Sequence, residues 1–157
     1  MSSSLRFRNL EVSPAQPVEQ WPLEAVLAAL ERGTLPDWRR LAGAIAVDPW
    51  GVVARKATEA LRVTRPYGTA ALMEMVVADA RASAAAAERA QVAEEVGGLL
   101  AHSGLTQMEF ARRIGTSSPR LSTYVSGKVT PSAALLVRMR RVAGAAARVP
   151  GATRSSG

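Results

Sequence analysis

The chain reads TQMEFARRIGTSSPRLSTYVSGKVTPS over residues 106–132. This segment predicts two short helices joined by a tight turn, then a loop and the start of another helix. Thr106 is a suitable N-cap for the first helix, and Glu109, three residues later, completes a capping box. Gly115 follows the last apolar residue of that helix, where a left-handed backbone lets the chain leave it. Ser117 is a suitable N-cap for the second helix.

Each of the two helices carries apolar residues at the spacing of a buried face. In the first helix these are Phe110, Ala111 and Ile114. In the second they are Leu121, Tyr124 and Val125, and Gly127 ends that helix. The other side of the second helix is mostly polar and carries Ser118, Pro119, Ser122, Thr123 and Ser126. A helix with such an uncovered side can lie in the major groove of DNA.

These spacings resemble the lambda-repressor-like helix-turn-helix of the XRE family of bacterial and phage regulators. The matching positions run from the start of the first helix to the start of the next one; they are Thr106-Gln107, Ala111, Gly115, Leu121, Tyr124, Gly127-Lys128 and Pro131-Ser132. The resemblance covers about residues 88–146, which include one helix before the pair and one after it. It implies a DNA-binding domain within an all-α protein. The alternative is a four-helix core with no role in DNA binding, because caps and apolar faces build any helical domain.

The resemblance also implies which residues touch DNA. Carried over position by position, they are Thr106, Gln107, Ser117, Ser118, Pro119, Arg120, Ser122, Thr123, Ser126 and Lys128. Within this set Gln107 is implied to bind a DNA phosphate. The residues implied to contact the DNA backbone are Ser117, Ser126 and Lys128. Those implied to face base edges are Ser118, Pro119, Ser122 and Thr123.

The chain departs from the family at two of these positions. Many members carry amide or basic side chains where this chain has Ser118 and Pro119, and such side chains can read a base with two hydrogen bonds. We therefore expect modest direct readout. Arg120 is the remaining long side chain that could reach a base, although its position suits a phosphate equally well.

The charge of the chain is concentrated in its C-terminal part. The formal net charge is +7. Residues 1–97 hold eleven basic and twelve acidic residues, whereas residues 98–157 hold nine basic residues and one acidic residue, Glu109. A basic segment that coincides with the helix pair favours binding to phosphate. The alternative is a solvated basic face in an Arg-rich proteome.

The sequence contains few of the residues and motifs that are typical of enzymes, metal-binding proteins or membrane proteins. The 157 residues contain no Cys and one His, His102. Glu94 and Glu95 are adjacent and would diverge on a helix, and there is no glycine loop followed by Lys that could hold phosphate. We therefore expect no enzyme activity, no metal site and no cofactor. No apolar run reaches about 18 residues and the N-terminus lacks a signal peptide, so we expect no membrane contact and a cytoplasmic protein. The excess of Ala and Arg indicates a bacterial genome, and DNA binding would make the protein nucleoid-associated.

The N-terminal part predicts a separate helical domain over residues 17–84. Pro22 begins one helix that ends at Gly33, Pro36 begins a second, and Asp48-Pro49 serves as the cap and first turn of a third. All three Trp lie in residues 21–50, and we interpret them as core residues rather than a ligand cage. Residues 1–16 could be an extended strip that docks a partner, although we favour a loose segment.

Residues 69–103 contain no Pro and include an Ala run, which predicts helix. Two helices with a break near Ser83 and one continuous helix both fit, and we favour one continuous helix that bridges the N-terminal domain and the helix-turn-helix domain, residues 85–146. Its expected buried stripe begins with Leu72, Met75 and Val76. A last helix is predicted from Thr130-Pro131 to about Ala146. Residues 147–157 are predicted to be a disordered tail.

Two functional hypotheses follow from these patterns. The first is a sequence-specific transcriptional regulator, a homodimeric repressor that places residues 117–126 in the major groove of double-stranded DNA. The second is an antitoxin or adaptor, in which the N-terminal domain binds a protein partner and the helix-turn-helix regulates its own operon.

Overall fold

The computed structural model describes residues 5–8 and 10–149, and these residues form an all-α protein without strands, as predicted. Seven α-helices follow a single 3-10 turn at Val18–Gln20. They are α1 (Leu23–Arg32), α2 (Leu35–Val47), α3 (Val52–Val63), α4 (Thr69–Ser103), α5 (Gln107–Ile114), α6 (Ser118–Val125) and α7 (Ala133–Ala147).

The chain divides into two compact units between Ala85 and Ala86, one residue from the domain boundary expected from the sequence. The boundary lies within α4, which is continuous through Ser83. None of the helices in the described part of the chain combines the length and apolar character needed to cross a membrane.

Trp21 is the centre of the core of the first unit. It is fully buried with Leu41 and Ile45 of α2 and with α1 residues such as Val26. The indole of Trp38 is partly buried and donates a hydrogen bond of 2.8 Å to the carbonyl oxygen of Ala29. The first unit is therefore built on α1, α2 and α3 around a buried indole.

The N-terminal segment is not loose where the structure describes it, and that prediction is wrong. Leu5 is buried in the core, and the ring of Phe7 meets the ring of Trp21 edge-on at 5.1 Å. The guanidinium of Arg40 donates hydrogen bonds of 2.6 and 2.7 Å to the carbonyl oxygens of Pro14 and Gln16. Burial of apolar side chains and these long-range bonds hold the segment in place, and neither is visible in its own sequence.

The start of α3 also differs from the prediction. Asp48 ends α2, and the amide of Gly51 donates to the carbonyl oxygen of Asp48 at 3.0 Å, so residues 48–51 form a turn. The helix begins at Val52, with Gly51 as its N-cap. Because Trp50 lies in this turn, its side chain is 49% exposed and is not a core residue.

The buried face of α4 in the first unit is shifted from the expected one. Ala70, Met73 and Val77 are buried, whereas Leu72 and Met75 lie on the opposite side and are exposed. Both sets have helical spacing, so periodicity alone could not choose between them.

The second unit has its own core of α4, α5, α6 and α7 residues. Its fully buried side chains include Val96, Phe110, Ile114, Leu121 and Met139. The last helix begins at Ala133 rather than at Thr130-Pro131, because the hydroxyl of Ser132 accepts the backbone amide of Leu135 at 3.1 Å and makes Ser132 the N-cap. It continues to Ala147, one residue into the predicted tail, and Pro150–Gly157 lie outside the described residues.

Candidate nucleic-acid interface

The first turn of α5 is fixed by the capping box that the sequence predicted. The backbone amide of Glu109 donates to the hydroxyl of Thr106 at 3.2 Å, and the backbone amide and hydroxyl of Thr106 both donate to the Glu109 carboxylate at 2.9 Å. The backbone and hydroxyl hydrogen bonds from Thr106 hold the pKa of Glu109 below its ordinary range. The Glu109 carboxylate is therefore charged and hydrogen-bonded at the N-terminus of α5.

The turn between α5 and α6 depends on Gly115, whose φ of 80° lies in the left-handed region. The next amide, that of Thr116, donates back to the carbonyl oxygen of Ala111 at 2.9 Å. The guanidinium of Arg138 on α7 donates a hydrogen bond to the carbonyl oxygen of Ile114 at 2.9 Å. This bond gives a partner to one of the carbonyl groups that have none within the helix at the C-terminus of α5. A Cβ at position 115 would lie 3.3 Å from that guanidinium.

Helix α6 rests on the core through Leu121 and Tyr124, which are both buried. The hydroxyl of Ser117 caps the helix by accepting the amide of Arg120 at 3.3 Å. Val125 was expected on the buried face, but it is 36% exposed. It is the last residue of α6 and lies beside Gly97 of α4, which has no side chain to pack on it; a Cβ added to Gly97 would lie 4.0 Å from a methyl group of Val125.

The ten residues assigned to DNA from the sequence are, together, the candidate surface. None of them is buried: Ser118 and Thr123 are half-buried, and the exposed members are Thr106, Gln107, Ser117, Pro119, Arg120, Ser122, Ser126 and Lys128. The polar side of α6 is therefore uncovered, as the sequence predicted.

A hydrogen bond between side chain and backbone brings the starts of α5 and α6 together. The side-chain amide of Gln107 donates to the carbonyl oxygen of Ser118 at 3.1 Å, so the first residue of α5 contacts the first residue of α6. The amide keeps a second hydrogen that can bind an outside acceptor. Gln107 is thus both a link between the two helices and a candidate contact.

Several hydroxyls of the candidate surface are already engaged within α6. Thr123 donates to the carbonyl oxygen of Arg120 at 2.6 Å, and Ser126 donates to that of Thr123 at 3.2 Å. The guanidinium of Arg120 donates to the hydroxyl of Tyr124 at 2.9 Å, which directs it along the helix. Because their single protons are used, the hydroxyls of Thr123 and Ser126 offer acceptor lone pairs to a partner.

The charges around the candidate surface are mostly positive, and the exception at its edge is Glu109, whose carboxylate accepts hydrogen bonds from Thr106. Residues 110–149 contain eight basic and no acidic residues. Arg140 is compensated, because its Nε lies 2.6 Å from the Glu95 carboxylate of α4, and this guanidinium holds the pKa of Glu95 below its ordinary range. Arg112, Arg113 and Lys128 are exposed, and none forms an ion pair among the described residues. The electrostatic field near the two helices is therefore positive.

Three contacts that shape the candidate surface were missed from the sequence, and one of them is the bond from Gln107 to Ser118. The spacing of Arg120 and Tyr124, four residues apart on a helix, was a signal that could have revealed their hydrogen bond. The bond from Arg138 to Ile114 joins residues 24 positions apart and has no local signal.

Comparison with models of protein families, with curated proteins and with solved structures found no match to this chain. The resemblance to XRE regulators therefore stays a prediction from the spacing of the matching residues in the sequence.

Proposed function

We propose that this chain is a sequence-specific DNA-binding transcriptional regulator that inserts α6 into the major groove. One observation carries the proposal: the polar side of α6 is uncovered on a basic unit, while Leu121 and Tyr124 hold its opposite side against the core. A helix supported in this way can enter a groove about 12 Å wide without unfolding its own core.

Phosphate contacts would supply most of the affinity. Exposed cations at the end of α5 and after α6, such as Arg113 and Lys128, can neutralise phosphates on either side of the groove. The free hydrogen of the Gln107 amide can bind a phosphate at the start of α5. Ser122 lies in the middle of α6, exposed, where it can reach a base edge.

We further propose that the regulator is a homodimeric repressor. A two-fold pair of subunits would place two copies of α6 in successive major grooves, about 34 Å apart on one face of the duplex. The operator would then be a palindrome whose half-sites are one helical turn apart. Nuclease protection of a bound operator would reveal this spacing.

The proposal can be tested by selecting bound fragments from the genome that encodes the chain. The intact protein is mixed with sheared genomic DNA at moderate salt, and the bound fragments are sequenced. We expect a small set of fragments with a shared palindrome, and an affinity that falls steeply with salt. Recovery of fragments in proportion to their abundance would overturn the claim of sequence specificity.

A charge variant separates this surface from the remainder of the protein. Lys128→Ala should weaken binding to all duplexes about equally and lower the salt slope by about 1. Arg39→Ala is the matched control, since Arg39 is an exposed cation on α2 of the first unit. Equal effects of the two substitutions would show that Lys128, in the loop after α6, does not contact DNA.

A second candidate function is favoured by apolar side chains that the first unit exposes. Val47, Val63, Tyr67, Leu72 and Met75 are all at least 43% exposed. Leu72 and Met75 are three residues apart and share one side of α4, and an exposed apolar strip of this kind is suited to a protein partner. The chain would then be an antitoxin or adaptor that carries this partner to its own operator.

The second candidate can be tested through the neighbouring gene. If expression of that gene alone arrests growth, we expect co-expression of this chain to relieve the arrest and Met75→Glu to abolish the relief. Growth that is unaffected by the neighbour, together with recovery of this chain without a bound protein, would contradict the antitoxin role and leave the regulator proposal intact.

A further inference from the structure

A groove between α3 and α4 of the first unit has no place in the proposals above. It has a volume of about 510 Å³, within the range of small-molecule sites. Its apolar wall consists of the exposed Ala78 of α4 and the uncovered edges of Leu61 of α3 and Val77 of α4, which are otherwise buried in the core. A smaller hollow adjoins it and shares Thr58, Arg62 and Arg81 with it.

Guanidinium groups surround this apolar wall. Arg62, Arg65 and Arg81 line the groove, and Arg55 lines the adjoining hollow. Arg81 is positioned by the fold, because its Nε donates to the carbonyl oxygen of Pro49 at 3.0 Å. This bond leaves the two terminal nitrogens of the guanidinium for a ligand.

The groove retains uncompensated positive charge. The acidic residues that line the two hollows are Glu59 and Glu74, against four Arg. Glu74 is engaged by Arg65 at 2.7 Å. Arg62 and Arg81 form no ion pair with any residue in the described part of the chain. The hydroxyl of Thr58 donates to the carbonyl oxygen of Ala54 at 2.9 Å and can only accept from a ligand.

We propose that this groove binds a small carboxylate with an apolar body. The carboxylate would receive charge-assisted hydrogen bonds from Arg62 and Arg81, and the apolar body would cover Leu61, Val77 and Ala78. A bare inorganic anion would leave the apolar wall wet, and an uncharged apolar molecule would leave the guanidinium groups without a partner. This site lies wholly in the first unit and is independent of DNA binding.

Calorimetric titration of the intact protein without DNA tests the proposal, with octanoate as the probe. Octanol and inorganic phosphate are the two comparison ligands, since each retains one half of the proposed chemistry. We expect saturable binding of octanoate and an affinity for octanol and for phosphate that is about tenfold lower or weaker still. Equal affinity for octanoate and octanol, equal affinity for octanoate and phosphate, or no binding of octanoate would each overturn the proposal.

Substitutions in the groove locate the binding. Ala78→Glu places a carboxylate among the guanidinium groups at an exposed helical position, and it should weaken octanoate about tenfold. Ala71→Glu is the matched control on the same helix, since Ala71 is exposed and outside the groove. Arg62→Gln, with Arg39→Gln as its control, gives the same test should Ala78→Glu fail to fold. Octanoate binding that is unchanged in a folded groove variant would overturn the site.

Discussion

Ser122 and Thr123 are neighbours on α6, but their hydroxyls are not equivalent. Thr123 uses its proton on the carbonyl oxygen of Arg120, whereas Ser122 is exposed and has no partner among the described residues. Ser122→Ala should therefore cost about 1 kcal/mol on a selected operator, and Thr123→Ala should cost less. Fluorescence anisotropy on the operator and on a scrambled duplex measures both. A larger loss for Thr123→Ala would show that the intrahelical bond does not decide which hydroxyl contacts DNA.

Glu109 makes the start of α5 sensitive to acid. Hydrogen bonds from Thr106 lower the pKa of Glu109 in the folded state below its value in the unfolded chain. The resulting stabilisation is complete above the unfolded pKa and is lost as the pH falls through the lowered, folded pKa. We expect Glu109→Gln to lower the melting temperature at neutral pH, and the difference from the unsubstituted protein to disappear in acid. A difference that persists unchanged in acid would contradict the role of the charged carboxylate.

At the scale of elements, the turn between α5 and α6 depends on one left-handed residue. Gly115→Ala should destabilise the second unit by about 1 kcal/mol, because a Cβ is strained at its φ of 80° and approaches Arg138. Gly98→Ala is the matched control. Gly98 lies within α4 with no atom near the position of a Cβ, so its substitution should stabilise the protein by about 0.5 kcal/mol. Urea unfolding measures both, and a Gly115→Ala protein as stable as the unsubstituted one would contradict the strain.

The helix pair could be predicted from the sequence because its signals are local. Thr106 and Glu109 lie within one turn of helix, and Gly115 and Ser117 set the next boundary within three residues. Capping hydrogen bonds need no distant partner, so a short segment contains all the information.

Other elements could not be read in this way because distant contacts decide them. The segment around Leu5 is ordered by Trp21 and Arg40, which lie far along the chain. The exposed side of α4 with Leu72 has the same spacing as its buried side, and packing into the core of the first unit selects between the two. For the candidate surface, the exposure of the polar side of α6 could be predicted from local spacing, whereas the bonds from Gln107 and Arg138 that hold the helices together could not.

At the scale of the whole molecule, the two units have separate cores and different charge. The first unit holds ten basic and nine acidic residues, and the second holds ten basic and four acidic residues. The unit with the candidate surface therefore carries nearly all of the net positive charge, and the exposed apolar side chains of α4 at Leu72 and Met75 belong to the other unit. This division favours one unit for DNA and one for protein contacts.

Self-association tests whether the first unit makes protein contacts through the exposed side of α4 that carries Leu72 and Met75. In sedimentation equilibrium we expect twice the mass of one chain, and we expect Met75→Glu to shift the equilibrium toward the monomer, because a charge at an apolar interface remains unpaired. Met108→Glu is the control, since Met108 is also an exposed Met but belongs to α5. A monomer at micromolar concentration, or a dimer that Met75→Glu leaves intact, would exclude this face of α4 from the interface.

The most direct test compares two variants, Ser122→Glu and Ser83→Glu. Their affinities for the selected operator are measured. Ser122 and Ser83 are both exposed on helices, but only Ser122 belongs to the candidate surface. If α6 lies in the major groove, Ser122→Glu should abolish operator binding through repulsion from the phosphates, and Ser83→Glu should leave it unchanged. Operator binding that survives Ser122→Glu in a folded protein would show that another surface binds DNA.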